Sequence, residues 1–301
     1  MISLIVTTFN QSRYIREALD SIVSQDVDNM EVIIIDDGST DDTLNIAAEF
    51  EGPKFQVLSK INGGPSSALN YGVSKAKGDF LIFLSGDDKL LPNSVTQRVC
   101  ALRNESASVV SCVPLWINDE GLELPSSAHP PLFKHYSFDS GIELFRALYY
   151  SGNLICAPSV AMTRSCYEKV GAFNEGLWQL QDYEYWLRAA AKNMRFHCLE
   201  EPCISYRWHG KNLSLADPQA SGREFDLVLS AAPEWLSQDD LSHLIWGSDE
   251  HALERPIEVD TMKAIARMQH TRPSVKSAGS LQFRSIANGA HARNELLEAL
   301  F

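Results

Sequence analysis

Three polar clusters in the N-terminal third of the chain carry side chains able to do chemistry, and each directly follows a short apolar run. Thr7-Thr8-Phe9-Asn10 follows Ser3 to Val6, Asp36-Asp37-Gly38-Ser39 follows Glu31 to Ile35, and Ser85-Gly86-Asp87-Asp88 follows Phe80 to Leu84. Two adjacent carboxylates at the end of a buried run repel each other. A hard divalent cation offsets that repulsion, because such ions prefer carboxylate oxygens. The plainer alternative is capping: Asp88 would cap the helix that Pro92 helps to start, and Asp36-Asp37 would form a turn and cap with Ser39-Thr40-Asp41. A cap requires one acid, whereas both clusters present two.

The elements that must position these clusters follow from hydrophobic periodicity. Ser3 to Thr8, Glu31 to Ile35, Phe55 to Leu58 and Phe80 to Leu84 read as buried strands. Between them, Ile15, Ala18, Leu19, Ile22 and Val23 share one helical face, as do Leu44, Ala47 and Ala48, and then Ala68, Leu69, Gly72, Val73 and Ala76. Strand, helix and strand in alternation predict a parallel sheet. Ligands of such sheets bind outside the carboxyl ends of the strands, which brings the three clusters to one edge. Further on, Val95, Val99 and Leu102 mark a helix and Ser108 to Val113 a strand. Leu115 to Phe138, rich in Pro, Ser and His, reads as a long loop excursion near an acceptor site. Ile142 to Tyr149 suggests a helix, Ser159 to Thr163 a strand, Tyr183 to Ala191 a helix, and Phe196 to Leu199 and Cys203 to Tyr206 short strands. Beyond residue 215 an acidic segment is followed by a basic one with Lys263, Arg267, Arg272, Lys276, Arg284 and Arg293. The reading is a 1–215 α/β domain and a 216–301 mainly helical extension.

Among 301 residues, 45% are apolar and 22% charged, as in globular proteins. A net charge of −13 argues against nucleic acid as a partner. It also means that an anionic ligand needs a bound cation or local positive groups. The six cysteines form no CxxC pair and sit mostly in apolar runs, as expected for reduced thiols in a cytoplasmic protein. Met1-Ile-Ser-Leu-Ile-Val reads as a first strand without the features of a signal peptide, and no apolar run is long enough to span a membrane.

Together the clusters resemble family 2 glycosyltransferases of the GT-A fold. The matching stretches are Val6-Thr7-Thr8-Phe9-Asn10, Asp36 to Asp41, Asn62-Gly63-Gly64-Pro65-Ser66-Ser67-Ala68-Leu69-Asn70 and Leu84 to Asp88. Gly171 to Glu175 followed by Gln181-Asp182-Tyr183-Glu184-Tyr185-Trp186, and Tyr206-Arg207-Trp208-His209 ahead of Ser214, resemble later motifs of that family. The resemblance covers residues 1 to 214 and implies an α/β fold with a mostly parallel central sheet flanked by helices. It implies that Thr7, Phe9 and Asp37 hold the nucleotide base, with Asn10, Asp36, Ser39, Asn62, Gly63, Asn70, Ser85 and Gly86 completing the donor site. Asp87 corresponds to the last acid of an Asp-x-Asp motif that binds Mn²⁺ or Mg²⁺, and His209 to a histidine that approaches the metal or diphosphate. Asp182 corresponds to the catalytic base. Trp178, Gln181 and Arg207 are the acceptor-side candidates. Two positions depart from the family pattern: Ser85 stands where the first acid often is, and Gln181 where a Glu usually precedes the Asp.

The implied activity is inverting transfer of one sugar from a nucleotide-diphosphate donor, a UDP-sugar first, to a hydroxyl of a glycan or lipid-linked acceptor. The expected setting is cytoplasmic, at the inner face of the membrane if the basic C-terminal segment makes peripheral contact. The alternative is a nucleotide-sugar-binding protein with little or no turnover, which the two departures favour. A nucleotidyltransferase would carry a Gly-rich loop with Arg and Lys after the first strand, and a dinucleotide enzyme a Gly-x-Gly-x-x-Gly there. Neither is present.

Overall fold

Each of the central strands alternates two sets of apolar side chains, and both sets are buried. Leu4, Val6, Val32, Ile34, Ile82 and Leu84 point into one core, while Ile5, Ile33, Ile35, Leu81 and Phe83 point into the other. A sheet buried on both faces must be covered by helices on both, which is the arrangement of parallel α/β folds. The computed structural model of the protein shows this arrangement and describes residues 1–104, 106–247 and 257–287.

In chain order the elements are β1 (Ile2–Thr8), α1 (Ile15–Val23), β2 (Met30–Asp36), α2 (Thr43–Ala48), β3 (Phe55–Ser59), α3 (Gly64–Lys75), β4 (Phe80–Ser85), β5 (Lys89–Leu90) and α4 (Ser94–Asn104). They continue with β6 (Val109–Cys112), β7 (Leu115–Ile117), α5 (Gly141–Ser151), β8 (Ala161–Thr163), α6 (Arg164–Val170), α7 (Gln181–Ala191), β9 (Phe196–Leu199) and β10 (Ile204–Arg207). The C-terminal helices are α8 (Leu213–Ala216), α9 (Pro218–Ala231), α10 (Gln238–Trp246), α11 (Val259–Gln269) and α12 (Pro273–Ala287). The main sheet has the order β3-β2-β1-β4-β8-β6-β9. Only β8 runs against its neighbours. A second, three-stranded sheet has the order β5-β10-β7.

That small sheet corrects the reading of Leu115 to Phe138 as a loop. The segment opens with β7, parallel to β10, and Trp116 within it is buried, stacked on Phe133 and edge-on to Tyr206 and Trp208. Asp88 is likewise no helix cap: it leads into β5 and receives the Arg207 backbone N–H at 2.8 Å. The segment after residue 215 is helical where described, yet its packing is continuous with what precedes it. Val228, Leu229, Leu241, Leu244, Ile245, Met262 and Ile265 belong to the same buried cluster as Phe145, Leu148, Tyr183 and Trp186. Three of its basic side chains are taken up by acids of the same segment, while Lys276 and Arg284 are exposed. Lys263 and Arg267 pair with Glu234, and Arg272 with Asp226, which withdraws these three from the expected membrane contact. Arg293 lies outside the described residues. No helix among the described residues is long and apolar enough to cross a membrane.

Candidate active site

Register places the three polar clusters side by side. Thr8 is opposite Asp36 and Thr7 opposite Ser85, so the loops after β1, β2 and β4 leave the sheet together. Backbone hydrogen bonds continue past the strand ends, from Asp37 N–H to Thr8 O at 2.9 Å and from Gly86 N–H to Thr7 O at 3.0 Å. Gly86 is required by that approach: a Cβ there would lie 2.6 Å from Gln11 Oε1 and 2.7 Å from Thr8 Oγ1.

On the side of the β1 and β2 loops, Asn10 adopts a left-handed backbone conformation (φ 51°) that Asn tolerates better than most residues. Its N–H donates to Ser39 Oγ at 2.9 Å and its Oδ1 accepts from Thr40 N–H at 2.8 Å, joining the two loops. Phe9 is 44% exposed, and Asn62 is exposed beside Gly63. Asp37 accepts from Lys60 Nζ at 2.7 Å and from the N–H groups of Gly63 and Gly64 at 3.1 and 2.8 Å, at the start of α3. The Gly63 N–H is shared with the second oxygen at 3.2 Å, so each oxygen of this buried carboxylate accepts two bonds.

Two residues expected here serve the fold instead. Asp36 is fully buried, and its Oδ2 accepts from Ser39 N–H and Ser59 Oγ, both at 3.1 Å, while its Oδ1 has no partner in the protein. It braces the turn beneath Asp37. Asn70 donates to Phe173 O and Glu175 Oε1 and accepts from Phe173 N–H and Tyr167 Oη at 2.9 to 3.1 Å. Its hydrogen-bonding capacity is filled by tying α3 to the 173–175 turn.

Asp87 and His209 meet where β4 and β10 end. Asp87 Oδ1 accepts from Ser85 Oγ at 2.5 Å, and its Oδ2 lies 3.2 Å from His209 Nε2. Lys211 N–H donates to His209 Nδ1 at 3.0 Å, so Nδ1 is the acceptor and Nε2 carries the proton shared with Asp87. The imidazole stacks on Tyr14, whose hydroxyl bonds to Asp119 and is pushed up to about 12, first by burial and then by that carboxylate. Arg207, expected on the acceptor side, is corrected by its burial. Its Nε donates to Asp87 O at 2.9 Å, its Nη1 to Asn118 O and Asp119 O, and its Nη2 to Glu17 Oε2 at 3.0 Å. The guanidinium therefore holds the Asp87-Asp88 loop from behind and faces no acceptor. Burial first, and the Asp87 charge second, raise the Asp88 carboxyl well above the usual range; its Oδ2 has no protein partner.

Across the cleft, Asp182 stands in the first turn of α7. Its Oδ1 accepts from Tyr183 N–H at 2.7 Å and its Oδ2 from Asn153 Nδ2 at 2.9 Å. Burial raises it to about 6, against the lowering effect of those two bonds. Gln181 beside it has a buried Oε1 without a partner, and Trp178 is 50% exposed with its ring against Gly64. Burial pushes the Tyr206 hydroxyl well up, and the charges of Asp88, Cys156, Asp87 and Asp182 add to the shift. Reasoning from sequence did not single out Tyr206 or Asn153; Tyr206 stood in a recognised stretch, whereas Asn153 carries no local signal.

Among the described residues no group of three or more His, Cys, Asp or Glu converges on a metal position. Asp87 offers a hard carboxylate that fits Mn²⁺ or Mg²⁺ when diphosphate oxygens and water complete the shell; His209 Nε2 joins it only on giving up the proton it shares with Asp87.

Comparison with known proteins agrees with this architecture. Residues 3–171 match the model of glycosyl transferase family 2. An uncharacterized glycosyltransferase of Rickettsia felis is 31% identical over 220 residues, 70% of this chain and 35% of that protein. The chondroitin synthase of Pasteurella multocida is 28% identical over 235 residues, 76% of this chain and 23% of that protein. The chain thus spans a minor part of the length of these two relatives. Among solved structures, S. aureus TarS 1-349 in complex with UDP-GlcNAc aligns with a TM-score of 0.66 at 19% identity, covering 94% of this chain and 88% of that one.

Proposed function

This chain belongs to glycosyl transferase family 2, and from that premise we propose that it moves one sugar, with inversion, from a UDP-sugar to a hydroxyl of a glycan or lipid-linked acceptor, assisted by Mn²⁺ or Mg²⁺. The observation that carries the reading is a hard carboxylate beside an imidazole at the strand ends, Asp87 with His209, together with a separate buried carboxylate raised to about 6, Asp182, in the first turn of α7. The S. aureus relative in fold was captured with UDP-GlcNAc, which supports the donor class.

In this reading Phe9 stacks on the base, Asp37 accepts a base N–H in place of the shared Gly63 N–H, and Asn62 and Gly63 border the nucleotide. Asp182 removes the proton from the acceptor hydroxyl as that oxygen bonds to the anomeric carbon. The bond from that carbon to the diphosphate breaks, and the nucleoside diphosphate leaves with the electron pair. Asn153 and the Tyr183 N–H fix the carboxylate so that it meets the acceptor in one orientation. Asp87 and His209 would hold the divalent ion, which when bound stabilises the charge developing on the leaving group. Arg207, from beneath, keeps Asp87 in place.

The test is hydrolysis and binding of UDP-, GDP- and dTDP-sugars with Mn²⁺, Mg²⁺ or EDTA. Metal-dependent release of UDP, lost in Asp87→Ala, supports the reading. Donor binding without turnover, with and without a panel of glycan acceptors, favours a binding protein. No binding of any nucleotide sugar overturns it.

A further inference from the structure

We propose that Glu224, on α9 of the helical extension, is the positioning residue for the loop that leads into α7 and Asp182; the inference rests on Asp182 being the base. Three consecutive backbone amides converge on this one carboxylate. Trp178 N–H donates to Oε1 at 2.9 Å, and Gln179 and Leu180 N–H donate to Oε2 at 2.9 and 3.0 Å. Leu180 caps α7, so its N–H is among those no helical carbonyl can satisfy, and a negative charge at this end also suits the helix dipole.

The next residue of α9 grips the other side of the base. Phe225 packs against Tyr183, ring centroids 5.4 Å apart, and Tyr183 directly follows Asp182. Arg272 then fixes α9, lying 5.2 Å over Phe225 and bonding Asp226 Oδ1 at 2.9 Å and Gly222 O at 3.1 Å. The clamp extends to the donor side. A Cβ on Gly64, which begins α3, would meet the Trp178 ring at 3.4 Å, and Gly64 N–H donates to Asp37. Glu224, Trp178, Gly64 and Asp37 thus form a continuous contact path from the extension, through the loop ahead of the base, to the residue assigned to the nucleotide.

A charged acceptor is essential at this position. In Glu224→Gln the size is kept, but one oxygen becomes an NH₂ that faces amide donors, so at least one of the three bonds is lost. The experiment measures, in wild type, Glu224→Gln and Glu224→Asp, amide hydrogen exchange over residues 176–183, UDP binding by calorimetry, and Mn²⁺-dependent hydrolysis of UDP-sugars with UDP-GlcNAc first. The expected result for Glu224→Gln is faster exchange confined to that stretch, UDP affinity within about twofold of wild type, and turnover reduced about tenfold, roughly 1.4 kcal/mol of barrier. Glu224→Asp, which keeps the charge, recovers part of the turnover. Wild-type turnover in Glu224→Gln overturns the proposal, as does loss of UDP binding in step with turnover, which would mean general damage. If the wild type itself binds no UDP and hydrolyses no UDP-sugar, the function reading fails and the positioning role falls with it; faster exchange would then denote a structural clamp alone.

Discussion

The two halves of the candidate site are built differently. The half proposed for the donor consists of strand ends: β1, β2 and β4 lie in register, and their loops meet because neighbouring parallel strands finish at the same edge. The half proposed for the acceptor has no such scaffold. Asp182 opens a helix, its amide partner Asn153 comes from the segment after α5, and the loop before it is held by α9. A site on strand ends inherits its geometry from the sheet. One assembled from loops and a distant helix depends on individual polar contacts, and single substitutions there should be felt more sharply.

The largest expected effects fall on the two acids that represent the two sides. Asp182→Ala is expected to lower donor turnover by about 10²- to 10⁴-fold while UDP binding persists, as removal of a general base does. Asp87→Ala should lose both the metal dependence and most of the turnover; retention of metal-stimulated hydrolysis would move the metal elsewhere. Arg207→Met tests whether the acid loop is held from behind. It leaves the Asp87, Asn118 and Asp119 carbonyls without their guanidinium donor, at an expected cost of about 3 kcal/mol, read as a lowered thermal midpoint. An unchanged midpoint would show that the strand-end scaffold suffices alone.

The pH profile sharpens the comparison further. Asp182 must be ionised to accept a proton, so turnover should fall as pH drops through about 6. The Asn153 hydrogen bond favours the ionised form, and Asn153→Ala should therefore move that limb to higher pH. A limb that stays in place would detach Asn153 from the base. For stability the sign is opposite to that of an ordinary carboxylate: the folded state holds this proton more tightly than the unfolded one, and the benefit is lost as pH rises through about 6. The smallest effect is expected on the sturdier side. Phe9→Ala should weaken UDP binding about fivefold by calorimetry, the low end for a base-stacking aromatic.

Much of the strand-end half could be read from sequence because continuous apolar runs and period-3.6 patterns fix strands, helices and their order. The role of each polar residue was less legible. Asp36 and Asp37 are adjacent and identical in type, yet one is sealed under the turn and the other lies at the start of α3. Asn70 and Arg207 have residue types that suit ligands, but their partners lie about a hundred residues away in sequence and absorb their hydrogen bonds. Glu224 lies in a stretch with no motif, and only the fold brings it to residues 178–180. Local pattern predicts where polar groups gather; tertiary partners decide which remain available.

The reach of Arg207 has a further consequence for how the chain assembles. Its backbone bonds to Asp88, 119 residues earlier, and its side chain to the Asp87 carbonyl. A chain emerging from the ribosome N-terminus first can pair β1, β2 and β4 long before β10 exists. In that interval Asp87 and Asp88 have no guanidinium behind them and must stay hydrated, because burying two adjacent charges unaided is too costly. The edge formed by β1, β2 and β4 therefore takes shape early, and the acid loop loses its water only when the strand carrying Arg207 arrives.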